Sequence, residues 1–190
     1  MEKKFLIGIT GASGVVYAYY FLKELKKLKY PAEVIITRAG EMVWNYELER
    51  PVEEILKFAE RLYREYEISA PPASGSNEYS GMVIIPCTMG TLSAIACGSA
   101  RNLLQRSADV MLKERKPLIL VIRETPFNLI HIRNMKTCSE AGAVIFPAMP
   151  SFYHKPKNLE ELISQFVRRI LQFLGLSPEG LKTWQEVELE

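Results

Sequence analysis

The residues able to do chemistry fall in five short runs: 10–14, 37–38, 87–91, 123–124 and 147–153. Each brings glycine, hydroxyl or charged side chains to its strand end. The first, Thr10-Gly11-Ala12-Ser13-Gly14, offers consecutive backbone N–H groups and a hydroxyl at the head of a helical run, an arrangement that favours an anion, most often phosphate. Ser13 can cap that helix or turn its hydroxyl to a ligand. Thr88, Met89, Gly90 and Thr91 repeat the chemistry, and Arg123 can fork onto a phosphate while Glu124 serves as a general acid or base. Each also has a plainer reading. Arg123 and Glu124 can be solvated, Glu47 can be a surface helix residue, and Arg101, Arg106 and Lys113 can form the charged outer face of one helix. Arg168-Arg169 sits in an amphipathic run and is solvated by default, and Tyr153 beside His154 can be interface packing. Trp184, in a polar tail, needs a surface to cover, here a neighbouring subunit.

These runs must be carried by an alternation of strands and helices. The apolar run 5–9 predicts a strand and 15–28 a helix. A strand over 32–37 and a helical segment around 41–46 follow. Pro51 then opens a helix to about residue 67, in which Ile55, Phe58, Ala59 and Leu62 recur at helical spacing. Residues 69–76 read as a loop, 82–85 as a buried strand, and 92–113 as helix broken near Gly98. Strands at 118–122 and 143–146 flank a helix over 128–140, and a last helix spans 159–174. The expectation is a single α/β domain: a three-layer, Rossmann-like or flavodoxin-like parallel sheet of five strands with helices on both faces and a tail over 175–190. In such sheets ligands bind beyond the carboxyl ends of the strands, where all five runs lie.

Glycines 8, 11 and 14 give G-x-x-G-x-x-G rather than the dinucleotide fingerprint, and the second strand ends in Thr37-Arg38 with no acid for a ribose hydroxyl. NAD is therefore disfavoured and a mononucleotide such as FMN stays open. The net charge of +2 over 190 residues points to no nucleic acid, and no apolar run approaches a membrane span. Cys87, Cys97 and Cys138, odd in number and without ligand spacing, read as free thiols of a cytoplasmic protein, and with only two histidines no metal site is expected.

In combination, the segments 8–14, 70–76, 86–93, 112–118, 123–127 and 150–154 resemble the UbiX-type flavin prenyltransferases, over nearly the whole chain. The resemblance implies a metal-independent transferase that joins the dimethylallyl group of dimethylallyl phosphate to reduced FMN at N5 and C6. The product, prenylated FMN, serves UbiD-type decarboxylases. It implies FMN contacts at Gly11, Ala12, Ser13, Thr37, Thr88, Met89, Gly90, Thr91 and Arg123. It places the prenyl phosphate on Tyr153 and Arg169, with Lys113, Arg106 and Glu124 completing the pocket. Ser13 and Glu47 resemble a pair that moves protons near the flavin, and Trp184 an aromatic whose face borders the prenyl site. Thr37 stands where the family usually has Ser, keeping the hydroxyl. Sites built between subunits, commonly in dodecamers, are also implied, with the tail packing on a neighbour. The alternatives are an FMN-dependent cysteine decarboxylase, whose early His and Pro-x-Met-Asn motif this chain lacks, and a non-catalytic FMN-binding module.

Overall fold

The computed structural model describes residues 3–184. Six parallel strands form one sheet: β1 (Phe5–Ile9), β2 (Ala32–Ile36), β3 (Arg61–Arg64), β4 (Gly81–Cys87), β5 (Leu118–Ile122) and β6 (Val144–Ile145). Their order across the sheet is β3-β2-β1-β4-β5-β6. The five-strand part, 2-1-4-5-6, is the flavodoxin-like order, and β3 extends it at one edge. Strands β1, β2 and β5 are buried along their full length, as unbroken apolar runs covered on both faces must be.

Helices α1 (Val15–Lys27), α2 (Arg38–Leu48) and α6 (Leu159–Phe173) cover one face, packing Phe21, Leu22, Trp44, Phe166 and Ile170 on Phe5, Ile7 and Ile9. Helices α3 (Met89–Ala96), α4 (Leu103–Lys113) and α5 (Leu129–Glu140) cover the other, with Leu92, Leu104 and Met111 against Leu6, Met82 and Ile84. The helical stretch expected over 92–113 is thus two helices, parted at Gly98, whose φ is +64°.

One element differs from expectation. No helix runs from Pro51 to residue 67. A short 3₁₀ turn, Val52–Lys57, is followed by β3, which brings the strand count to six rather than five. Of the helically spaced residues only Ile55 lies in the turn, buried beside Val52; Phe58 closes it and Ala59 follows it. Residues 61–64 are decided non-locally, by the ladder Glu33–Arg61 to Ile36–Arg64 with β2. The last strand is also shorter than the expected 143–146, and the 69–76 loop contains a 3₁₀ turn, Pro71–Ala73.

At the amino edge the Glu33 carboxylate ties four segments together. It takes hydrogen bonds from Lys4 Nζ (2.5 Å), Tyr79 Oη (2.5 Å) and Tyr63 Oη (3.1 Å). Burial pushes the Glu33 carboxyl up, but the Lys4 and tyrosine hydrogen bonds outweigh it and hold the carboxyl below its ordinary value. At the other edge α1 starts at Gly14, in the left-handed region at φ +102°. Ser13 is not the cap: no side chain of that turn closes the helix. A remote carboxylate does so, Glu47 Oε2 on α2 accepting the N–H groups of Gly14 (2.8 Å) and Val15 (3.2 Å).

Two outcomes follow. Replacing Glu47 by Ala strips that cap and is expected to lower stability by about 1 kcal/mol, read as a fall in thermal midpoint; an unchanged midpoint means the contact stabilises nothing. The Glu33→Gln variant is expected to be less stable at neutral pH by about 1–3 kcal/mol. Because the folded carboxyl is depressed, its contribution is complete above the unfolded value of 4.5 and is lost as pH falls through the lower folded value. Melting curves from pH 7 to pH 3 should show the gap to wild type closing toward acid; a gap independent of pH contradicts the assignment.

Candidate functional site

The two halves of the sheet diverge between β1 and β4, since α1 leaves β1 for one face and α3 leaves β4 for the other. Thr10 spans this point. Its hydroxyl donates to the Pro86 carbonyl (2.7 Å) and accepts the Thr88 N–H (3.0 Å), and its own N–H donates to Pro86 (3.3 Å). The crevice above carries the residues expected to hold a mononucleotide. Gly11 lies flush on α2: a Cβ there would sit 2.5 Å from Ala39 Cβ, so only glycine fits. The N–H groups of Gly11, Ala12 and Ser13 have no partner among the described residues, and the Ser13 side chain is exposed. Three adjacent unpaired amides at a helix start form an anion-binding concavity. The next two, of Gly14 and Val15, are taken by Glu47. Glu47 therefore stands at the rim of the loop as well as capping the helix.

Across the crevice, Thr88 caps α3 by accepting the Thr91 N–H (3.1 Å), and its hydroxyl also donates to Thr91 Oγ1 (3.0 Å). Met89 and Thr91 face inward, whereas Gly90 is open, with nothing within 4 Å of a built Cβ except Thr88 Oγ1 at 4.0 Å. Thr37, 8% exposed, uses its hydroxyl to cap α2 by accepting the Gly40 N–H (3.0 Å). Arg123 follows β5 with its backbone N–H on the Cys87 carbonyl (3.2 Å) and its guanidinium exposed; Glu124 is exposed beside it. Cys87 shares this edge, but burial, reinforced by Cys138, pushes its thiol well above the ordinary range. Cys138 is likewise pushed up by burial, to about 11. Both stay protonated at neutral pH and serve as packing groups.

A second compartment opens beside the crevice, between α6 and the loop after β6. It is a cleft of about 220 Å³ lined by Phe146, Met149, Tyr153, Phe166, Arg169 and Lys182. Tyr153 packs edge-on against Trp184 (5.4 Å, 87°) and donates to the Lys182 carbonyl (3.3 Å). The described part of the tail, 175–184, runs back along its own chain: Gln165 holds Gly180 and Lys182, and Arg168 reaches Gly180 and Glu24. Arg168 is thus paired, not simply solvated. Residues 185–190 lie outside the described part, and Trp184 keeps 57% of its surface exposed. His154 is a prop beneath Tyr153: it is 6% exposed, edge-on to that ring at 5.7 Å, and neither ring nitrogen has a partner among the described residues. Burial, then the Lys182 charge, lowers its pKa, so the ring is neutral. Arg169 reaches Gln172 (2.8 Å) and borders the cleft.

Two expected residues do not join this edge within one chain. Arg106 faces outward on α4, bonded to the Ala73 carbonyl (3.2 Å) and Asp109 (2.6 Å). Lys113 ends α4, paired with Glu114 near Gly75. The residues just beyond it enter β5 at the amino edge, where Pro117 accepts the Met82 N–H (2.8 Å). Lys113 therefore precedes β5 at its amino end, and Arg123 follows the same strand at its carboxyl end, the strand itself being roughly 16 Å long at about 3.3 Å per residue. Thr10 stands in the first of the five runs, but its bridge to Pro86 and Thr88 is non-local and leaves no signal there, and Tyr17 is missed as one aromatic among several on α1. Among the described residues no cluster of three or more His, Cys, Asp or Glu side chains forms, and no helix is long and apolar enough to cross a membrane.

The flavoprotein family profile matches residues 1–174. The flavin prenyltransferase UbiX of Halalkalibacterium halodurans is 44% identical over 192 residues, covering 96% of this chain and 93% of that one. Among solved structures, AnUbiX (PadA1) in complex with FMN and dimethylallyl pyrophosphate superposes with a TM-score of 0.94 at 37% identity, covering 97% of this chain and 98% of that one. A dodecameric FMN-dependent UbiX-like decarboxylase from Escherichia coli O157:H7 does so with a TM-score of 0.92 at 32% identity, over 96% of this chain and 99% of that one. A family match over residues 1–174 and identity of this extent over nearly the full length make the chain a member of the flavoprotein family, within its UbiX-type flavin prenyltransferases.

Proposed function

We propose that this chain transfers the dimethylallyl group of dimethylallyl phosphate to reduced FMN, giving prenylated FMN. The observation that carries this reading is the presence of two unlike compartments on one sheet edge. The crevice offers unpaired amides, hydroxyls, Arg123 and a glycine floor, fit for a flat ligand with an anionic end. The cleft offers a cation among aromatic rings, fit for a small apolar group carrying a phosphate.

FMN fits the crevice: Gly11, Ala12, Ser13 and Thr88 hold it, with Thr37, Met89, Gly90, Thr91 and Arg123 around it. When bound in its reduced form, FMN supplies the nucleophilic positions, N5 and then C6. The protein's share is positioning and electrostatics. Arg169 and Tyr153 grip the phosphate, stabilise the charge that gathers on it as the allylic C–O bond breaks, and keep it beside the cleft. The Trp184 ring presents its face to the positive charge left on the five-carbon group. Ser13 and Glu47, at the rim of the glycine loop, and Glu124, beside Arg123, move protons. Arg106 and Lys113 enter the reading from a neighbouring copy, so the site is completed across a subunit boundary in an oligomer of the dodecameric kind. There the tail, Trp184 included, packs on the neighbour. The product passes to a UbiD-type decarboxylase, in the cytoplasm, where Cys87, Cys97 and Cys138 stay reduced.

Anaerobic incubation with reduced FMN and dimethylallyl phosphate, followed by mass spectrometry of the extracted flavin, should show a gain of one five-carbon unit. Arg169→Ala, Lys113→Ala and Glu124→Ala should each slow its formation about 10²–10³-fold while FMN stays bound. FMN that binds tightly and is extracted unchanged after incubation with the wild type would return the chain to the FMN-binding-module reading.

A further inference from the structure

Tyr17 touches the glycine loop on one side and, on the other, Phe166, one of the rings that line the cleft. Its ring lies over the glycine loop: a Cβ built on Gly14 would sit 3.1 and 3.2 Å from two of the ring carbons. On its other side it meets Phe166, with ring centroids 5.0 Å apart at 58°. Phe166 in turn packs on Phe146 (5.6 Å, 72°), and both line the cleft that holds Arg169 and Tyr153. The three rings form a continuous aromatic wall that begins at the nucleotide loop and ends at the phosphate cleft. Tyr17 is not fully buried core: Val15, Ala18 and Phe21 take the deepest places on this helix, and Tyr17 stays half-buried at the site edge. Its phenol is within electrostatic reach of Arg123. Burial pushes the phenol up, Arg123 pulls it partway back, and it remains a neutral hydroxyl at working pH.

We propose that Tyr17 is the partition between the acceptor crevice and the donor cleft, and that its ring limits the length of the prenyl chain the site accepts. The inference rests on the prenyl-transfer reading above and deepens it by naming the residue that selects the donor. A planar ring wedged between a glycine backbone and a second ring has few ways to move aside. A five-carbon group ends against it, and a ten-carbon allylic chain runs into it. The hydroxyl is not required for this; the ring is.

The test compares a five-carbon with a ten-carbon allylic monophosphate as donors to reduced FMN, using wild type, Tyr17→Phe and Tyr17→Ala, with FMN affinity measured in parallel. Wild type and Tyr17→Phe should prefer the five-carbon donor by the same ratio of kcat/KM. In Tyr17→Ala that ratio should fall by about tenfold or more, with FMN still bound. If Tyr17→Ala fails to fold, Tyr17→Leu, which keeps an apolar contact and drops the planar ring, is read in the same way. An unchanged ratio in the ring-less variant overturns the proposal, as does loss of FMN binding without change of preference, which would make Tyr17 a prop of the nucleotide loop. Wild type that prenylates FMN with neither donor fails earlier, at the reading of the site itself.

Discussion

Everything at the working edge hangs on a single buried hydroxyl. Thr10, 1% exposed, is the last point at which β1 and β4 are joined before their helices leave for opposite faces. Its oxygen, at the end of β1, donates to the Pro86 carbonyl and accepts the Thr88 N–H, both at the end of β4, and without it that N–H has no partner among the described residues. That pair of bonds sets the width of the crevice. The glycine loop begins at the next residue, and Thr88, whose N–H the hydroxyl receives, is the cap from which α3 starts. A valine of the same shape would fill the space, keep only the backbone bond to Pro86 and leave the Thr88 N–H unpaired.

The division of labour between the two compartments follows from what each must hold. The crevice is made of backbone and small hydroxyl groups, which hold a rigid, flat partner closely and lose little side-chain freedom in doing so. The cleft is made of long side chains and aromatic rings, which adapt to a flexible partner at a greater cost in side-chain freedom. The groups with the greatest capacity for unwanted reactivity at this edge are silenced by burial. The Cys87 and Cys138 thiols stay protonated, and His154 is neutral, supporting Tyr153 by contact alone.

Most of the architecture was legible in sequence because strands β1, β4 and β5 are apolar runs that end in Thr10, in Thr88 and in Arg123-Glu124. What was not legible was non-local. Strand β3 has only four residues and owes its conformation to β2 and to the Glu33–Tyr63 bond, neither of which leaves a mark at 61–64. The sequence left Ser13 open as cap or ligand group for a related reason: it has the right chemistry at the right place, yet Glu47, thirty-three positions away from Gly14, takes the amides. The pairing of Tyr153 with Trp184 was hidden likewise, because the tail folds back on α6 through contacts to Gln165 and Arg168. Lys113 was recognisable by motif, but a motif carries no information about which edge of the sheet its helix ends at.

The contrast between Gly11 and Gly90 bears on how such a site changes over generations. At Gly11 a single methyl would collide with Ala39 at 2.5 Å, whereas at Gly90 the nearest atom to a methyl is 4.0 Å away. The floor of the crevice therefore tolerates no drift unless α2 shifts with it, while the opposite lip is free to acquire side chains. A lineage retuning this pocket for another flat ligand would do so by decorating the α3 lip, and the β1 floor would persist as the relic that betrays common ancestry.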